Sequence, residues 1–153
     1  MQNFEKRYRR VVWFGGLYDF LVTFPFALPG LVGIQLATLE KVQGWLGLAG
    51  RFPVFDPFQL FFLNLFGSIV VIWAALRIAK PEPLFGLADG IARVMFSSLM
   101  LYYLAVWGIP QIVWLFVVPE IVFGVAQLGG YWLFRQSRRE NIDCRLARAL
   151  LRA

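Results

Sequence analysis

The sequence predicts an all-α polytopic membrane protein, one domain over residues 1–153 with four transmembrane helices and an interfacial amphipathic helix between the first and second. Composition is the first observation behind this: 59% of the 153 residues are hydrophobic and 18% aromatic. With a mean hydropathy of +0.65, that is more apolar surface than a soluble domain of this size can bury. The second is length, because four separate stretches approach or exceed the roughly 20 residues a helix needs to cross about 30 Å of hydrocarbon.

The first segment runs from Val11 to Leu28 and ends at FPFALPG, where Pro25 and Pro29 kink or stop the helix and Gly30 lets the chain turn. The basic start, MQNFEKRYRR, superficially resembles a signal peptide. Its apolar run is too long and has no A-x-A pattern after it, so it reads as a retained helix. Residues 31–56 form an outer amphipathic helix and loop. Val32, Leu36, Leu39, Val42 and Leu46 make an apolar stripe, suited to the membrane surface or to packing over the bundle mouth. Pro53, Pro57 and three phenylalanines mark an interfacial turn.

The second segment spans Phe58 to Ile78 and is closed by Lys80, Pro81 and Pro83. The third begins near Leu87, with Asp89 and Arg93 in its opening turns, and ends at Trp107, Gly108 and Pro110. The fourth runs from Gln111 to Phe134, interrupted by Pro119. Residues 135–153 form a basic tail whose Leu146, Leu150 and arginines suggest a short amphipathic helix on an anionic leaflet. The aromatic residues toward the segment boundaries read as interfacial belts.

All the basic residues except Lys41 and Arg51 fall at the amino terminus, the connection between the second and third segments, or the tail. That asymmetry places both termini in the cytoplasm of a bacterial inner-membrane protein. It also accounts for the net charge of +6 without a nucleic-acid partner. One cysteine, Cys144, and no histidine exclude a disulfide framework, a zinc site and histidine base chemistry within one chain. Cys144 is a palmitoylation candidate or, more simply, an incidental thiol.

Asp19 lies nine residues beyond Arg10, roughly 13 Å past the inner charged boundary at about 1.5 Å per residue. Glu120 lies ten residues beyond Pro110, roughly 15 Å in from the opposite face on the same scale. An acid at that depth costs about 2.5–3.5 kcal/mol even on the permissive insertion scale, so it faces the bundle interior, a partner or water. Candidate ligand-binding residues are therefore Asp19, Asn64, Arg93, Glu120 and Gln127. Asn64 and Gln127 orient the ligand and Arg93 closes the cytoplasmic end. The plainer alternative makes these groups interhelical glue. Asp89 and Arg93, spaced i to i+4, read more simply as a pair anchoring topology or headgroups.

GLYDFLVTFPFALPG, FFLNLFGS and PEIVFGVAQ, with acids in the first and last segments and a long first outer connection, resemble the DoxX-like small membrane proteins, and more distantly the EXPERA proteins. That resemblance covers nearly the whole chain as an architecture. It implies roles from lipophilic-ligand binding to a subunit of a quinone-linked redox system, and assigns no catalytic residue or cofactor.

Binding of a small lipophilic or cationic ligand, with proton-coupled transport as an extension, is the leading expectation. Membrane lipid and a homodimer are its expected partners, since transport by so short a chain needs a second copy. The alternative is a membrane subunit or assembly factor whose polar residues meet a partner subunit. An enzyme ranks last, because two carboxyls without histidine, metal motif or phosphate loop specify no reaction.

Overall fold

The structure is a computed structural model describing residues 2–150, with side-chain surroundings described for residues 4–141. It is all-helical, with no strand among the described residues. The elements are α1 (Gln2–Ala27), α2 (Pro29–Trp45), α3 (Pro57–Ala79), α4 (Pro83–Trp107), a 3₁₀ turn (Gln111–Val113) and α5 (Trp114–Leu150). Helix α3, helix α4 and the span Gln111–Asn141 are each long and apolar enough to cross a membrane. Helices α1 and α2 meet that criterion only as a pair, bent by 110°.

Prolines set the helix starts. Pro29, Pro57 and Pro83 each open a helix, where the missing N–H removes no hydrogen bond. The residues before them, Leu28, Asp56 and Glu82, are extended, as the proline ring requires of its predecessor. Asp56 also accepts from the Gln59 N–H at 2.8 Å while the Gln59 side chain accepts from the Asp56 N–H at 3.0 Å. This reciprocal cap fixes where α3 begins. Gly108, at φ 58°, ends α4 in the left-handed region.

Several sequence expectations need correction. Helix α1 continues through Pro25, and the chain turns at Leu28–Pro29; Gly30 lies inside α2 with no positive φ. Proline at the first position of a new helix is the stronger determinant there. Pro119 does not break α5, and the fourth segment and the basic tail form one continuous helix. The proposed amphipathic face of Leu146, Leu150 and the tail arginines, and the chemistry of Cys144, lie outside the described side chains.

Helix α1 packs chiefly along α3 and α4 chiefly along α5, while α1 also meets α4 and α5 and joins the two pairs. Close approach in the first pair depends on Gly67. A Cβ there would lie 2.7 Å from the Phe26 carbonyl carbon, a backbone contact that cannot yield. Tyr8 on α1 donates to the Gln127 carbonyl on α5 at 3.0 Å. At the opposite end Gln43 donates to the Gly50 carbonyl at 2.6 Å, and Gln111 donates its N–H to the Ala49 carbonyl at 2.9 Å. Both helix-connecting loops at that end are thereby tied together.

Burial is inverted relative to a water-soluble protein. Arg77 is 0% and Arg93 1% exposed, whereas Val125 is 70% and Ile72 62% exposed. Apolar side chains facing outward around a charged interior is the distribution a bilayer favours.

Candidate functional site

Four helices converge on a charged network. Asp19 comes from α1, Arg77 from α3, Asp89 and Arg93 from α4, and Glu120 from α5. Arg77 donates through Nη2 to Asp19 Oδ2 at 2.5 Å and through Nη1 to Asp89 Oδ2. Arg93 donates through Nε to Asp89 Oδ2 at 2.9 Å and through Nη2 to Asp19 Oδ2 at 2.6 Å. Two arginines and two aspartates therefore close a ring, and each carboxylate oxygen in it bridges both guanidiniums. Glu120 is appended through Oε1, which accepts from Arg93 Nη1 at 3.0 Å.

Surrounding groups hold this ring in place. Trp73, one turn before Arg77, donates its indole N–H to Asp89 Oδ1 at 2.9 Å. The Arg77 guanidinium carbon lies 5.6 Å from the Trp73 ring, and that of Arg93 lies 5.0 Å from Phe123, so both cations also rest on aromatic faces. Arg93 Nη2 additionally reaches the Gly15 carbonyl at 3.4 Å, and Ser97 donates to the Arg93 carbonyl at 2.7 Å. Every nitrogen of the Arg93 guanidinium is thus engaged.

Above the network is a cavity of about 500 Å³, walled by all four of these helices. Its walls are mostly apolar, with Val70, Phe96, Met100 and Phe116 among them, and Asp19, Asp89, Arg93 and Glu120 form its charged end. Although consecutive in the chain, α3 and α4 pack chiefly on other helices, and the cavity occupies the space between them. Tyr18 and Thr23 also line its wall.

The structure brings Asp19, Arg93 and Glu120 together but not Asn64 or Gln127. Asn64 donates to the Phe26 carbonyl at 2.8 Å, satisfying the end of α1 where it crosses α3, and it is not among the cavity-lining residues. Gln127 is fully buried beside Gly15, its amide atoms are without hydrogen-bond partners, and it too lies off the cavity wall. Arg93 is the hub of the network and lies at the charged end of the cavity. The i, i+4 spacing of Asp89 and Arg93 does make an ion pair, but at 3% and 1% exposure neither reaches headgroups.

Sequence reasoning missed Arg77, Trp73 and the depth of Asp89. Arg77 sits close to the Lys80–Pro81 boundary and reads as part of it. A usable signal was present: Trp73 and Arg77 share a helix face at i, i+4, and Lys80 already supplies the boundary charge. Comparison with family models, curated proteins and solved structures returns no match.

Proposed function

We propose that this chain is an integral protein of a bacterial inner membrane that binds a small lipophilic or cationic ligand between its helices. In this reading the bent α1–α2 pair and the three longer spans give four crossings, with α2 lying along the outer interface. Both termini are cytoplasmic. Arg77 and Arg93 leave the orientation count because they are buried, yet Lys6, Arg7, Arg9, Arg10, Lys80, Arg135, Arg138 and Arg139 remain against Lys41 and Arg51. The DoxX-like likeness is compatible with this reading and does not carry it.

The observation that carries it is the apolar cavity of about 500 Å³ ending on buried charge. Its volume is within the range of small-molecule sites, roughly 300–1,000 Å³, and it has their usual composition of apolar walls with few polar groups. A buried charge network is weak evidence for stability, since an apolar replacement of similar volume is often neutral or stabilising. Ionisable groups inside a membrane are instead a mark of a working site. Proton-coupled movement of the ligand is an extension of the same reading.

Filling the cavity tests it. Ala92 lines the wall, whereas its neighbour Ile91 is 52% exposed on the outside. Native mass spectrometry of gently extracted protein is expected to show a retained lipophilic molecule in the parent and in Ile91→Trp, and none in Ala92→Trp. Equal retention in all three well-assembled proteins rules the cavity out as the binding place.

A further inference from the structure

Resting on the cavity reading above, we infer that the ligand's polar end is a single positive charge carrying N–H donors, such as a protonated lipophilic amine, held by Glu120 and Asp19. Charge and hydrogen-bond accounting lead to this class. The network sets three carboxylates against two guanidiniums, so one negative charge is in excess within a low-dielectric interior. An excess charge there is offset by a cation or a proton.

Hydrogen-bond accounting gives the same sign. Four of the five Arg93 N–H groups are taken, leaving one on Nη1, the Trp73 indole N–H is taken, and Arg77, whose Nε is without a partner, lies outside the cavity wall. On the acceptor side, Glu120 Oε2 has no partner, and no hydrogen bond among the described residues reaches Asp19 Oδ1. Both residues line the cavity. Its charged end therefore has two carboxylate oxygens without a partner against a single spare N–H of Arg93.

An anionic head, such as a fatty-acid carboxylate, would add to the excess charge and find only the last Arg93 N–H and the side chains of Tyr18 and Thr23 as donors. A carbonyl head would find the same donors and leave the excess charge to be offset by a proton. An ammonium group offsets the charge and donates to Asp19 Oδ1, with the Glu120 carboxylate as the neighbouring counter-charge. Its alkyl body fits the apolar wall of Val70, Phe96, Met100 and Phe116.

The test uses the full-length protein in lipid nanodiscs and three probes with the same tail: dodecylammonium, dodecanol and dodecanoate. Binding specific to the cavity is the part lost in Ala92→Trp. The parent is expected to hold dodecylammonium about tenfold or more tighter than the other two, the scale of one charge-assisted hydrogen bond. Glu120→Gln, which keeps the Asp19–Arg77–Asp89–Arg93 ring, is expected to remove that preference. Cavity-specific binding of all three probes with equal strength, or strongest binding of dodecanoate, overturns the amine assignment and leaves the cavity reading standing. Binding of all three that Ala92→Trp does not reduce overturns the cavity reading and the assignment with it. The probe series decides the matter in the parent protein alone, so it does not depend on Glu120→Gln folding.

Discussion

Arg77 bridges Asp19 and Asp89 with no exposed surface of its own. Removing one partner of a buried pair leaves the others uncompensated, at a cost of about 3–5 kcal/mol. Arg77→Met is therefore expected to lose most of its monodisperse fraction on heating in detergent, in fluorescence-detected size exclusion. Arg77→Lys is expected to fall between, because an ammonium is a point charge and cannot span two carboxylates with a fixed fork. Parent-like melting of Arg77→Met would show that the ring does not hold α1, α3 and α4 together. The presence of Asp19 and Glu120 in the interior was legible from the sequence, since apolar residues on both sides leave an acid few other places to be. Their link through Arg93 was not, because the span between Asp19 and Arg93, and that between Arg93 and Glu120, are closed only by packing between helices.

At the scale of elements, the two helical glycines Gly67 and Gly30 behave differently. Gly67 faces the backbone of Phe26 and Ala27, while a Cβ on Gly30 would meet nothing within 4 Å. Gly67→Ala is expected to force α1 and α3 apart, break the Asn64 contact to Phe26 and lower stability by about 1–3 kcal/mol, the usual cost of overpacking. Gly30→Ala is expected to be neutral or to stabilise by about 0.5–1 kcal/mol through helix propensity. Thermal unfolding of the two variants in one detergent compares them; equal effects contradict this account of the α1–α3 crossing. Helix starts were readable because a proline at the first position acts through its own ring. The end of the first segment at Leu28 and the break at Pro29 were readable in the same way, whereas the turn was given to Gly30, which lies in α2: glycine permits a turn but Pro29 imposes the break, and permission is the weaker constraint.

For the whole molecule, the basic residues at the ends of α1 and α5 and after α3 share one end of the bundle, while Lys41 and Arg51 lie with the loops tied through Gln43, Gln111 and Ala49. In a Cys144→Ser background, a membrane-impermeant maleimide added to intact cells is expected to label Lys41→Cys and to spare Lys80→Cys until the membrane is opened. The reverse pattern would invert the orientation. Sequence alone determined that the chain is helical, apolar on its outside and charged within, because hydropathy, proline positions and charge asymmetry act locally and need no knowledge of neighbours. Tertiary structure decided which charges meet, that Arg77 and Asp89 belong to the interior, that Asn64 and Gln127 stand off the cavity, and that one carboxylate remains in excess. The rotation of each helix about its axis sets all of these, and that rotation is fixed by close contacts such as Gly67 on Phe26, which no single segment specifies.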